Sequence, residues 1–260
     1  MVSEMAKIFI PLVLSLVTAH LVADFVLRSK SVWRKNQAWL HLCVHGVIYG
    51  VLVYLIMGIW QLWLPAVILA IAHLLIDAIL LTGMDRFYKR ESMGYFLADQ
   101  LLHLSMLLLV LFVFYLPQQS VPFWVRLFPT TGYQTLLVVS GVILLVPFSG
   151  ELIAAALQPL QDQMHKRFKP NMLRPVEGLK EGGKIIGYLE RLLIFVFILS
   201  GQFAGVGFLV AAKSIFRFGE LKESENRKQA EYVIIGTFSS FLLAILISLA
   251  VQALLRFSAG

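Results

Sequence analysis

The chain has 260 residues, of which 59% are hydrophobic and only 14% are charged. Together with a mean hydropathy of +0.81, this composition excludes an ordinary soluble domain and indicates an integral membrane protein. The net charge of +7 comes from Lys and Arg in short segments between apolar runs. Such segments are typical of loops that meet lipid headgroups, so we expect the lipid bilayer, and not nucleic acid, as the partner.

Apolar runs of the length that crosses a bilayer, roughly 17–25 residues, recur along the chain. In chain order they cover residues 8–27, 40–57, 65–82, 96–116, 135–157, 192–212 and 231–255. The predicted fold class is therefore all-α: a polytopic membrane protein with an N-terminal four-helix transmembrane bundle and two or three further membrane helices. We divide it into a bundle domain, residues 1–116, and a C-terminal membrane region, residues 117–260, with a cytoplasmic basic loop at 158–188.

Charges in the loops predict the orientation. The loops after the first and third runs are basic, and those after the second and fourth are nearly uncharged, which places the N-terminus outside the cytoplasm. The run at 192–212 fits this pattern poorly, because a single crossing would put the basic segment that follows it outside. A re-entrant hairpin bent between Gly201 and Gly207 would keep both ends inside. The run is continuous and strongly apolar, however, so we expect a plain span.

Four pairs of possible metal ligands lie in the first four runs. The members of each pair are spaced i and i+4, which puts them one above the other on the same helix face. The pairs are His20 with Asp24, His41 with His45, His73 with Asp77, and Asp99 with His103. In an up-down-up-down bundle all four reach the cytoplasmic side, roughly 5–15 Å below the membrane surface at about 1.5 Å per residue.

These eight side chains predict a metal centre in the bundle. An Asp within a bilayer costs about 2.5–3.5 kcal/mol, so three carboxylates need positive charge nearby, and two divalent ions would supply it. Imidazole and carboxylate ligands without a thiolate favour Zn, Mn or Fe. The competing interpretation is a proton relay, or hydrogen bonding between His and Asp on neighbouring helices.

Several stretches carry a family resemblance. HLVADF at 20–25, HLLID at 73–77 and FLADQLLH at 96–103 resemble an uncharacterised bacterial inner-membrane family, the domain of unknown function 3307 family. GKIIGYLERLLI at 183–194 and GFLVAAKSIFRF at 207–218 resemble the C-terminal part of its longer members. The resemblance implies a multi-pass protein of the bacterial inner membrane, with Gln expected where this chain has Arg28, and no particular activity. A loosely similar membrane family is described as metal-dependent hydrolases, which is an analogy only.

From the ligand set we expect a membrane-bound metal-dependent hydrolase that cleaves a phosphate or an ester in an amphiphilic, lipid-like substrate at the cytoplasmic leaflet. Paired ions would generate hydroxide from a bound water at neutral pH, and Asp24 or Asp99 would move protons. Arg191, Lys213 and Arg217 are candidates for binding a lipid phosphate. The competing interpretation of these three cations is that they anchor the ends of spans and form ion pairs.

Other function classes stay open. The same pairs would suit the transit site of a divalent-metal transporter or the binding site of a metal sensor, and a di-iron oxidase ranks below both. Clustering at one depth argues against transport, because a pathway needs polar residues further along the helices. Association into a homo-oligomer is also open.

Overall fold

The computed structural model describes residues 2–28, 38–83, 92–118, 120–165, 181–221 and 227–259. These residues are almost entirely helical, and no strand occurs among them. Six helical segments are long and apolar enough to cross a membrane: Ile8–Leu27, Trp39–Met57, Trp63–Thr82, Met93–Gln118, Thr131–Gln163 and Ala230–Phe257. The protein is therefore an all-α, multi-pass membrane protein, and these segments confirm six of the seven predicted runs.

The helices are interrupted at several points by tighter or wider turns. In chain order they are α1 (Val2–Leu21), α2 (Ala38–Met57), α3 (Trp63–Gly83), α4 (Met93–Val110), α5 (Phe123–Leu127), α6 (Pro129–Ile143), α7 (Ser149–His165), α8 (Gly182–Leu199), α9 (Phe203–Leu221) and α10 (Arg227–Ala259). A π-helical turn, Val22–Leu27, extends α1, and another, Leu111–Tyr115, extends α4. Of the predicted basic loop 158–188, residues up to 165 belong to α7 and those from 182 to α8, while 166–180 lie outside the described residues.

The chain forms two compact units. The first contains Met1–Arg90, Gly94–Ile143 and Leu254–Gly260, and the second contains Glu91–Met93 and Leu144–Ala253. In the first unit α1 packs against α2, α6 and the π-helical turn of α4, and α2 packs against α3. The hydroxyls of Thr18 and Ser140 share a hydrogen bond of 2.6 Å between α1 and α6. A helix beyond the predicted bundle domain thus joins the first four.

Small residues let α2 and α3 approach closely. Gly46 and Gly50 are four residues apart on α2 and face Ala66 and Ala70 of α3. A Cβ atom at Gly50 would lie 2.8 Å from the Cβ of Ala70, and one at Gly46 would lie 3.3 Å from its carbonyl oxygen. This spacing of small residues is how membrane helices bring their backbones together. It sets the separation between two side chains near the contact. These are His45, which is next to Gly46 on α2, and His73, which is about one turn beyond Ala70 on α3.

In the second unit a helix stop divides the run that we expected to be a plain span. The N–H of Gly201 donates to the carbonyl of Ile198 at 3.0 Å, and that of Gln202 donates to the carbonyl of Phe197 at 2.7 Å. This is the Schellman pattern, and Gly201 has φ +73°, a left-handed conformation that glycine adopts without strain. The expectation of one continuous helix over 192–212 is therefore wrong, because α8 ends before Gly201 and α9 begins after it.

The two helices form an antiparallel hairpin. Close to the turn, Gly205 of α9 lies against the ring of Phe197 of α8. Further from it, the ammonium group of Lys213 pairs with the carboxylate of Glu190, and both side chains are largely buried. Both contacts join residues at similar distances from the turn, so the helices run side by side in opposite directions. This is the hairpin alternative that the loop charges favoured.

We expect that replacing Gly50 with Ala will separate α2 from α3. The added methyl group has no room beside Ala70, and overpacking typically costs about 1–3 kcal/mol, more than the roughly 0.5–1 kcal/mol that Ala gains over Gly inside a helix. The midpoint of thermal unfolding in detergent should fall. In the control Gly207→Ala no atom of the described residues lies within 4 Å of the new Cβ, so its midpoint should hold or rise. Equal midpoints for the two variants would contradict the close contact.

The Glu190–Lys213 pair should stabilise the hairpin through mutual neutralisation. Glu190→Gln or Lys213→Met alone leaves a buried charge without its partner and should cost about 3 kcal/mol, whereas the double variant should cost much less than the sum. Glu181→Gln is the control, because its exposed pair with Lys184 should contribute under about 1 kcal/mol. The measurement is a double-mutant cycle of unfolding free energies, and strictly additive costs would rule out the coupling.

Candidate metal centre

Seven of the eight predicted ligands meet inside the first unit. None of the seven residues is more than 9% exposed. Their ligand atoms form three overlapping groups in which the atoms lie within 4.8 Å of one another: His20 with Asp24 and His73, His45 with His73 and Asp77, and Asp24 with Asp99 and His103. The i, i+4 pairs of α1, α3 and α4 and one member of the α2 pair thus face one centre.

The tightest part of this centre is a triangle of three ligand atoms, which we call the ligand triangle. His45 Nε2 lies 3.0 Å from Asp24 Oδ1, His73 Nε2 lies 3.2 Å from the same oxygen, and the two nitrogens are 3.1 Å apart. Two ligands that bind one ion at about 2.0–2.2 Å are themselves roughly 2.8–3.1 Å apart in octahedral geometry and roughly 3.3–3.6 Å apart in tetrahedral geometry. The triangle therefore has the dimensions of a metal site.

Protons alone do not satisfy the ligand triangle. An imidazole nitrogen is either a donor or an acceptor, never both. If His45 donates to His73, the accepting nitrogen of His73 faces the lone pairs of Asp24, and if both histidines donate to Asp24, their N–H groups face each other. No assignment of hydrogens gives all three sides a hydrogen bond, whereas one cation is attractive to all three atoms.

The ring of His103 is oriented by its own helix. Its Nδ1 donates to the backbone carbonyl of Asp99 at 2.9 Å and lies 3.4 Å from the carboxylate of that residue. In the neutral imidazole this bond leaves the lone pair on Nε2, which is buried without a hydrogen-bond partner among the described residues and lies 3.9 Å from Asp77 Oδ1. Such a bond to the second ring nitrogen is typical of metal-binding histidines.

Asp24 owes its position to the π-helical turn after α1. Such turns are rare and often occur at functional sites. One carboxylate oxygen of Asp24 forms the ligand triangle, and the other, Oδ2, is buried without a hydrogen-bond partner among the described residues. Arg28 ends the turn, with its guanidinium 3.8 Å from Asp24 Oδ2 and 3.4 Å from Asp77 Oδ1. Burial alone would lower the pKa of Arg28, but the carboxylates of Asp77 and Asp24 raise it above its ordinary value, so the side chain is a cation.

His41 stands apart from the centre. It lies in the first turn of α2, is half-buried, and belongs to none of the three ligand groups formed by the described residues. His45, one turn further into the bundle, reaches the centre in its place. Metal ligation by His41 stays a prediction that its position does not support.

The three cations predicted to bind a lipid phosphate belong to the second unit. Arg191 is 4% exposed and donates to Ser240 Oγ and to the carbonyl of Val146, both at 3.0 Å. Lys213 is paired with Glu190, and the side chain of Arg217 lies outside the described residues. The described contacts therefore hold helices together, and phosphate binding by these residues stays a prediction.

Three residues that contact the centre are not among the predicted ligand pairs. Arg28 follows Asp24, and Tyr49 follows His45, at the same i, i+4 spacing, so the spacing itself carried the signal. The ring of Tyr49 stacks on His73 with centroids 4.3 Å apart. Gln100 donates from Nε2 to Asp99 Oδ2 at 3.0 Å, while its Oε1 lies 3.4 Å from His20 Nε2, and only the tertiary structure reveals this bridge.

A family model described as "Protein of unknown function (DUF3307)" matches residues 12–128. Over these residues, slightly less than half of the chain, the sequence is similar to that family. The match confirms the resemblance carried by the ligand pairs, and the DUF3307 region contains every residue of the centre. No curated protein and no solved structure matches the chain.

We expect that substitutions in the ligand triangle will lower the metal content of the protein and that a substitution of His41 will not. Loss of a residue that hydrogen-bonds to a metal ligand typically lowers metal affinity roughly 10–100-fold. His73→Ala and Asp24→Asn alter proposed direct ligands, so each should lower the metal affinity by at least that factor. His41→Ala should retain the metal. The measurement is metal per chain by plasma mass spectrometry on detergent-purified protein, with elution volume on size exclusion as the folding control. Full retention in well-folded His73→Ala would exclude the triangle as the site.

Proposed function

We propose that this protein is an intramembrane metal-dependent hydrolase that cleaves a phosphate or an ester in an amphiphilic, lipid-like substrate. The observation that carries the proposal is the buried ligand triangle of Asp24, His45 and His73, whose sides of 3.0–3.2 Å suit a divalent ion and not a set of hydrogen bonds. Its oxygen and imidazole donors favour Zn, Mn or Fe. When bound, such an ion polarises a substrate oxygen and lowers the pKa of a water ligand.

The residues around the triangle have the properties that hydrolysis requires. Asp24 can ligate through Oδ1, while Oδ2, which faces the Arg28 guanidinium at 3.8 Å and lacks a hydrogen-bond partner among the described residues, can accept a proton from the attacking water. Asp99 contacts the ring of His103 and is held by Gln100, so it orients a ligand rather than reacting. In this proposal Asp24 is the proton acceptor and Asp99 is a positioning residue.

The largely apolar interior of the bundle, in which Ser15 and Thr18 of α1 contribute buried hydroxyls, favours an enzyme over a transporter. The residues of α1 that precede His20, those of α2 that follow Tyr49 and those of α4 that follow His103 contribute fully buried apolar side chains. They include Leu12, Leu16, Val53, Met57, Leu107 and Leu111. A transported ion would need polar ligands along this part of its path, whereas a substrate can approach the centre from the end where Arg28 lies.

In this proposal the protein lies in the bacterial inner membrane, with its N-terminus outside the cytoplasm and the metal centre near the cytoplasmic leaflet. The α8–α9 hairpin supports this orientation, because a hairpin returns the chain to the side from which it came. Lys184 near the start of α8 and Arg227 at the start of α10 would then lie on the same side, as the positive-inside rule requires. An anionic headgroup would meet positive charge on that side.

Hydrolysis of model amphiphiles tests the proposal. Detergent-solubilised full-length protein should cleave a fluorogenic phosphate ester or carboxylic ester that carries an acyl chain, lose activity to a chelator and regain it with added Zn²⁺ or Mn²⁺. Asp24→Asn should lower the rate at least about a hundredfold, the usual contribution of a positioned base, and Glu181→Gln should not change it. Activity that survives both chelation and Asp24→Asn would refute the enzyme. Metal-dependent flux into proteoliposomes without hydrolysis would identify a transporter.

A further inference from the structure

Arg28 lies where a second cation of the metal centre would be expected. Its guanidinium extends to two carboxylates on different helices, 3.4 Å from Asp77 Oδ1 and 3.8 Å from Asp24 Oδ2. Both carboxylates are 2% exposed as side chains, whereas Arg28 is 26% exposed. Arg28 therefore lies at the more exposed edge of the polar centre, directly after the π-helical turn that extends α1.

Asp24 joins the two positive positions as a bridging carboxylate does. Its Oδ1 faces His45 and His73 in the ligand triangle, and its Oδ2 faces Arg28. In two-metal sites a carboxylate commonly spans both ions. Here one of its oxygens faces the proposed ion and the other faces a fixed guanidinium.

We infer that Arg28 takes the place of a second ion, so that the centre binds one divalent metal together with one guanidinium. This inference rests on the proposed metal-dependent function. It differs from the expectation of two ions drawn from the sequence. The sequence placed Arg28 in a loop, and only the structure shows that its side chain turns back onto Asp24 and Asp77.

Charge balance among the described residues supports the inference. As metal ligands or their partners, Asp24, Asp77 and Asp99 would be ionised and bring three negative charges. Arg28, whose guanidinium stays protonated in proteins, brings one positive charge, while metal-bound histidines are neutral. One divalent ion balances the remaining two negative charges. Two divalent ions would leave two positive charges in a site of low polarity, where uncompensated charge is costly.

The test is the stoichiometry of Mn²⁺ bound to purified full-length protein, followed by electron paramagnetic resonance. The wild type should bind a single Mn²⁺ with the hyperfine pattern of an isolated ion. Arg28→Gln removes the charge and should double the stoichiometry, with the exchange-coupled spectrum of a pair. Arg28→Lys keeps the charge and is the matched control, which should bind a single ion as the wild type does. The elution volume on size exclusion checks that each variant is folded.

The outcomes separate this inference from the proposed function. Two coupled ions in the wild type would overturn the role of Arg28 and leave a metal centre intact. A single ion in both wild type and well-folded Arg28→Gln would overturn it as well, because the charge would then not set the stoichiometry. A wild type that binds no Mn²⁺, Zn²⁺ or Fe²⁺ would remove the metal centre itself. If Arg28→Gln does not fold, the wild-type stoichiometry decides alone.

Discussion

The approach of Asp24, His45 and His73 to one another is the constraint on which the first unit depends. No assignment of protons gives all three sides of this triangle, 3.0–3.2 Å long, a hydrogen bond, so a positive charge between the three atoms would stabilise it. Two backbone features impose this arrangement. The π-helical turn after α1 places Asp24, and the glycines of α2 let that helix approach α3.

Along the axis of the bundle, the His and Asp side chains of the candidate site and the packed apolar core occupy different parts of the interior. Mostly apolar side chains of α1, α2 and α4 fill the part of the interior beyond the ligands, where the buried polar groups include hydroxyls such as those of Ser15 and Thr18. The buried carboxylates and imidazoles of the first unit lie towards the other end. This division provides a rigid support of packed helices for a small set of donors, which favours precise ligand geometry. It also leaves Arg28, at the end of the π-helical turn, as the partly exposed side chain through which the centre meets its surroundings.

The second unit uses buried charge for a different purpose. Glu190 and Lys213 neutralise each other across the α8–α9 hairpin, and Arg191 donates to Ser240 and to a backbone carbonyl. Each cation therefore has protein partners, as ionisable groups in apolar surroundings require. Gly201 supplies the left-handed residue that ends α8, and the charged contacts then hold the hairpin arms together.

The sequence by itself determined the membrane class, six of the spans and the gathering of ligand pairs at one end of the bundle, because hydropathy and i, i+4 spacing are local properties of a helix. Gly201 marked the helix stop in 192–212, but its capping hydrogen bonds became evident only in three dimensions. The tertiary structure alone decided that α6 joins the bundle, that Arg28 turns back onto Asp24 and Asp77, and that His45 reaches the centre while His41 stays outside it. These outcomes depend on helix separation and on where a π-helical turn falls, which are properties of packing between segments distant in the chain.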